Sequence, residues 1–159
     1  EIAKLYPEIT VTGEACPMWV PLIENGEYNS DGADFFVKKN IENNIPVLNQ
    51  LKQTYQLAMV TNYYGNVETV LKELNLIEQF SVIIESQKRG VRKPNPEIFQ
   101  IALEEMSLPS EEVLVVGDSY KNDILPAQFC GCKTLWINPE KKKNNEIINR
   151  IKEVPDLII

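Results

Sequence analysis

Three polar clusters fall where short apolar runs end. The run Val113 to Val116 stops at Gly117, Asp118 and Ser119, and a second carboxylate follows at Asp123. Leu57 to Val60 stops at Thr61 and Asn62, and Lys93 stands before Pro94 in the stretch GVRKPNPEIF. Two carboxylates about 4 Å apart repel by roughly 4 kcal/mol at an effective dielectric near 20, a cost that a bound divalent cation removes. An all-oxygen site of this kind suits Mg²⁺. The proline disfavours helix at Lys93 and holds its side chain on a loop, where an ammonium can neutralise the carboxylates and bind a phosphate dianion. A threonine hydroxyl at a strand end can donate to a phosphoryl oxygen. Each group also has a plainer reading. Asp123 can be an acid in a helix's first turn with Asp118 capping, Lys93 one of a solvated basic cluster with Lys88, Arg89 and Arg92, and Thr61 the cap of the next turn.

The elements that must carry these residues follow from periodicity. Pro46 suits a first helical position, with Leu48 and Leu51 marking an apolar face, and LAMV (Leu57 to Val60) reads as a short buried strand. Val67, Val70, Leu71 and Leu74 fall at i, i+3, i+4 and i+7 and describe one helix face. VII (Val82 to Ile84) reads as the next strand. Asn95, Pro96 and Glu97 open a helix through Ile98, Ile101, Ala102 and Met106. After the strand VLVV, a helix from about Lys121 to Cys130 stops at Gly131, and TLWI (Thr134 to Ile137) is a further strand. A helix is expected around Ile147, Ile148 and Ile151, and the last run, LII, reads as a strand.

Strands alternating with helices predict a three-layer α/β sandwich with a mainly parallel, Rossmann-like sheet. In such a sheet the carboxyl ends of the strands share one edge, so Thr61, Asn62, Lys93, Asp118 and Asp123 can converge there. Residues 1–40 differ: Pro7, Pro17, Pro21, Gly13, Gly26 and Gly32 interrupt them, and they read as an appendage or the remainder of a small cap, with the core over 41–159. Asp31 and Asp34 read as turn and helix-start residues.

The bulk properties narrow the function classes. The 159 residues suit one globular unit, and a net charge of -7 argues against a broad grip on nucleic acid or anionic lipid. No histidine is present, which excludes histidine bases, Ser-His-Asp triads and His-ligated metals in this chain. Cys130 and Cys132 lack zinc-type spacing and read as structural, and KKKNN (Lys141 to Asn145) as a solvated loop. No apolar stretch approaches the roughly 18 residues of a membrane helix, and the start is not a signal peptide, so a reducing cytoplasm is the simplest location.

LAMVTN, GVRKPNPEIF and VLVVGDSYKNDI…CGCKTLWIN, in that order, resemble the haloacid dehalogenase-like hydrolase superfamily. The resemblance covers about Ile45 to Ile159. It implies that Thr61, with Asn62 beside it, binds the transferred phosphoryl group and that Lys93 steadies nucleophile and phosphoryl charge. It also implies that Asp118 binds Mg²⁺, with Asp123 supporting it directly or through water. The implied reaction is attack by an aspartate on a small phosphorylated metabolite, giving an aspartyl-phosphate that water hydrolyses. The family's first motif, D-x-D on a central first strand, is absent: the aspartates are Asp31, Asp34, Asp118, Asp123 and Asp156. Without that strand two parallel neighbours would keep unpaired buried edges, each unmade bond costing about 1 to 3 kcal/mol. The expectation is therefore a missing N-terminal segment of the same protein, preceding Glu1, that holds the strand, the D-x-D and the start of the cap. A phosphomutase or dehalogenase of the same fold, a receiver-like phosphoacceptor and a catalytically silent fragment are the alternatives.

Overall fold

The computed structural model describes residues 2–5, 9–14, 30–142 and 144–158. Seven strands among them form one sheet: β1 (Ile2–Leu5), β2 (Ile9–Glu14), β3 (Leu57–Asn62), β4 (Val82–Glu85), β5 (Val113–Gly117), β6 (Lys133–Ile137) and β7 (Ile147–Ile148). Their order is β4-β3-β2-β1-β5-β6-β7, with a further β2–β5 pairing. All pairings are parallel except those of β1, which runs antiparallel to β2 and β5. The helices are α1 (Ser30–Lys52), α2 (Val67–Glu73), α3 (Ser86–Arg89), α4 (Glu97–Met106), α5 (Leu125–Phe129) and α6 (Val154–Leu157).

The runs Leu57–Val60 of β3 and Val113–Val116 of β5 are apolar because both faces of the sheet are covered there. β5 alternates: Leu114 and Val116 enter one core with Val47, Leu48 and Leu51 of α1, while Val113 and Val115 enter the other with Ile98, Phe99, Ala102 and Met106 of α4. β3 does the same, Leu57 facing the α1 side and Ala58 and Val60 the α4 side. That is the expected three-layer sandwich with a mainly parallel sheet.

Four expectations are corrected. First, the place between β3 and β5 is filled from within the chain. β2 pairs in parallel with β3 from Ile9↔Leu57 to Glu14↔Asn62 and with β5 at Thr10↔Val115 and Val11↔Val116. The alternating Ile9, Thr10, Val11 and Thr12 are β-branched and suit a pleated central position, which satisfies the edges that would otherwise be unpaired. Second, the boundary near residue 40 falls inside α1, which starts at Ser30 and carries Pro46 in its interior instead of at its first turn. Asp31 and Asp34 lie in its first two turns, where acids suit the helix dipole. Whether residues 15–29 belong to a cap lies outside the described residues. Third, Ile147 and Ile148 form β7 on the outer edge of β6, since a two-residue β-branched pair beside an open edge gains sheet bonds that an isolated helical turn could not offer. Fourth, Leu157 and Ile158 close α6 instead of forming a strand, and Ile158 packs into the α1-side core.

Candidate functional site

Two fully buried ions sit at the carboxyl edge of the sheet. Lys93 Nζ donates to Asp123 Oδ1 at 2.6 Å, and neither side chain has any exposed surface. Burial of both charges is tolerable because each is the other's partner; removing one would strand the other. Asp123 Oδ2 accepts from the backbone N–H of Ser119 at 3.0 Å, so both oxygens of this carboxylate are engaged.

Backbone geometry brings Asp123 to that position. After β5 the chain makes one wide turn, with the N–H of Ile124 and of Asp123 both directed at Ser119 O, and Ser119 Oγ accepts from Asn122 N–H. Such a widened turn swings the fifth residue back over the strand end. It fits only because residue 117 is glycine: a Cβ there would lie 2.4 Å from Asp123 Cβ and 2.9 Å from its Cγ. The expected regular helix from Lys121 to Cys130 is therefore this turn followed by the short α5, which ends as predicted near Gly131 at φ 87°.

The Thr61 edge is built by side chains acting on backbone. Thr61 is buried at the end of β3, in register with Gly13 of β2 and Glu85 of β4. Asn62 clamps the Lys93 loop twice: its Nδ2 donates to Lys93 O at 3.0 Å, and its Oδ1 accepts from Lys93 N–H at 2.8 Å. The Asn62 side-chain amide is thus engaged by Lys93's backbone. Glu85 Oε1 accepts from Gly65 N–H at 2.5 Å and Val67 N–H at 3.3 Å, and Ser86 Oγ exchanges hydrogen bonds with Tyr63 N–H and C=O. Together these fix the loop after Thr61 to the end of β4.

Glu85, Ser86 and Gly117 were not singled out from sequence. Glu85 carried a signal: it ends VII as Asp118 ends VLVVG, a carboxylate directly after an apolar run.

Asp118 lies exposed at the mouth of the same edge. Its carbonyl accepts from Trp136 Nε1–H at 3.0 Å, and the indole packs on Tyr120 with ring centroids 5.0 Å apart. Among the described residues no cluster of three or more His, Cys, Asp or Glu side chains could enclose a metal. Mg²⁺ does not require one, because it is commonly held by one or two carboxylates with water and substrate phosphate completing the shell. Asp118 fits that role. Asp123, with both oxygens engaged, would support such an ion through Lys93 and the Ser119 turn.

The other candidates resolve plainly. Lys88 pairs with Glu68 at 2.6 Å and Arg89 with Glu105 at 2.5 Å, so half of the basic cluster is surface pairing. The Glu68 partner holds the Lys88 ammonium above its usual range, and Lys88 holds Glu68 below its own. Burial pushes the Cys130 thiol up and the Cys132 thiol up to about 12, with Cys130's own charge adding to the latter. These are inert thiols near neutral pH. No helix among the described residues is long and apolar enough to cross a membrane.

Comparison with known proteins places this geometry in context. A family model described as haloacid dehalogenase-like hydrolase matches residues 25–137, more than half of the chain. The pyrimidine 5'-nucleotidase YjjG of Escherichia coli is 32% identical over 104 residues, covering 64% of this chain and 46% of that protein. The glyceraldehyde 3-phosphate phosphatase of Pyrococcus furiosus is 34% identical over 110 residues, covering 68% and 45%. The chain thus spans about half the length of the curated relatives it matches. Among solved structures, the HAD-hydrolase YfnB of Bacillus subtilis, crystallised bound to magnesium, superposes with a TM-score of 0.65 at 29% identity, covering 72% of this chain and 53% of that one.

Proposed function

The chain belongs to the haloacid dehalogenase-like hydrolases, and on that premise we propose that its parent protein is a cytoplasmic, Mg²⁺-dependent phosphatase of small phosphate monoesters. The observation that carries this reading is the buried Lys93–Asp123 pair, set at the sheet edge that also bears Thr61 and Asp118. The kinship with a nucleotidase and a phosphatase at 32% and 34% identity supports phosphoryl transfer over dehalogenation.

The division of labour follows from the contacts. Thr61 donates its hydroxyl to a phosphoryl oxygen. Lys93, held in place by Asn62 and Asp123, neutralises charge that builds up on the phosphoryl group and on the attacking carboxylate. Asp118 would hold Mg²⁺, which when bound neutralises phosphoryl charge and orients the ester for in-line attack. Preorganised charge of this kind is the main contribution a protein makes to such a reaction.

The nucleophilic aspartate comes from a segment of the parent protein outside this sequence. Within this chain β2 occupies the central slot, with Gly13 and Glu14 in register with Thr61 and Asn62. The test is Mg²⁺-dependent release of phosphate from p-nitrophenyl phosphate by this chain and by the chain extended upstream. The expected result is turnover by the longer protein alone, lost in Asp118→Ala and Lys93→Met. Equal turnover by this chain would place the nucleophile within it, and Glu14 would be the first residue to replace. Turnover by the longer protein that survives both substitutions would exclude the site.

A further inference from the structure

Beside Asn62, the residue after Thr61, the sheet edge opens into a cavity of about 270 Å³ between the loop after β3 and the segment from α3 to Arg92. Tyr63 and Tyr64 wall one side, and Ser86, Gln87 and Arg92 the other. Among the described residues no carboxylate lines it, although the chain carries 23 acidic residues and a net charge of -7.

The four cations of this segment separate cleanly. Lys88 pairs with Glu68, Arg89 with Glu105 and Lys93 with Asp123, whereas Arg92 has no carboxylate partner among the described residues and is the one that lines the cavity. An exposed guanidinium in a carboxylate-free recess of an acidic protein is a receptor for an oxyanion, which its planar fork binds through two parallel hydrogen bonds. Tyr63, Tyr64 and Gln87, which line the same cavity, carry neutral hydrogen-bond donors.

From this placement we infer that the cavity is a leaving-group subsite: Arg92 selects phosphate monoesters whose alcohol portion carries a second anionic group, a carboxylate or a second phosphate. The inference rests on the phosphatase reading above and adds the substrate class to it. Lys93 and Arg92 are adjacent in sequence but serve different charges, the first the transferred phosphoryl group and the second the tail.

Calorimetric titration of the chain extended upstream, in Mg²⁺ buffer, tests this with three unreactive probes: propylphosphonate, 3-phosphonopropionate and propane-1,3-bisphosphonate. The expected result is about tenfold tighter binding of one or both anionic-tail probes than of propylphosphonate, as one charged hydrogen-bond pair provides. The carboxylate and bisphosphonate arms show which anion is preferred. Arg92→Gln should reduce the preference to below about twofold, Arg92→Lys should keep part of it, and exposed Arg150→Gln should leave it intact. Binding of propylphosphonate with no preference for a charged tail, or a preference that survives Arg92→Gln, overturns the subsite and leaves the phosphatase reading standing. Failure of all three probes to bind the folded chain overturns both.

Discussion

Asp123 and Glu85 are both fully buried carboxylates at the same edge of the sheet, and they are used in opposite ways. Asp123 faces a charged partner, Lys93 Nζ at 2.6 Å. Glu85 faces neutral backbone, accepting from the N–H groups of Gly65 and Val67 through one oxygen; its other oxygen lacks a hydrogen bond, with Lys88 Nζ 3.5 Å away. The first holds a charge at the edge where the reaction is proposed. The second holds a loop in shape. Burial alone therefore says little about a carboxylate's role; the identity of its partner decides it.

Substitutions can break this contrast, and the largest effect belongs to the ion pair. Lys93→Met or Asp123→Asn alone should cost about 3 to 5 kcal/mol in urea denaturation, because each strands a buried charge. The double variant should recover at least half of the Lys93→Met loss while remaining inactive. If the double variant is no more stable than the worse single one, the pair is not coupled as described.

Next comes Gly117→Ala, whose new methyl would meet Asp123 Cβ at 2.4 Å. Overpacking of this kind costs about 1 to 3 kcal/mol, and a shift of about 1 Å at the lysine's partner can cost about 100-fold in turnover. Unchanged melting and turnover would mean that the turn after β5 is looser than its contacts indicate.

Glu85 sharpens the comparison from the other side. Glu85→Ala leaves one buried and one part-buried N–H group without acceptors and should lose about 1 to 3 kcal/mol, whereas Glu85→Gln keeps an acceptor oxygen and should lose less than half as much. At Asp123 the amide should be no such substitute. Equal losses for the two Glu85 variants would show that its charge matters after all.

The smallest effect lies away from the edge. The folded Cys132 pKa is raised from 9.0 to about 12 by burial, so the neutral thiol is favoured by folding. The stability this provides is complete below pH 9 and falls away as pH rises towards 12. Denaturation midpoints measured from pH 8 to 11 should decline less steeply in Cys132→Ala than in the unaltered chain.

Much of this edge was legible in the sequence. β3, β4 and β5 are continuous apolar runs that end abruptly in polar residues, and buried strands of a parallel sheet leave that trace. Thr61, Lys93 and Asp123 could be placed from it. Asn62 could be placed beside Thr61, but its grip on the Lys93 loop could not be read, since an amide that can bind substrate can equally bind backbone, and only the fold brings Lys93's N–H and C=O within its reach. Glu85 was passed over because its partners are main-chain groups with no sequence signature. β2 was missed for another reason: Pro7 and Gly13 drew attention to chain breaks, while the alternation in Ile9, Thr10, Val11 and Thr12 is only four residues long. At the other end, Ile147, Ile148 and Ile151 fit a helical spacing as well as a strand, and the open edge of β6 decided between them.

The clamp of Asn62 on Lys93 also makes a statement about time. A loop amide ordinarily exchanges its hydrogen with water far faster than a strand amide does, because loops open locally. Lys93 N–H is held at 2.8 Å by a side chain rooted in β3, so it should exchange at the slow rate of the sheet and be released only when β3 itself opens. The loop and the strand that together present the lysine and the threonine would then breathe as a single cooperative unit.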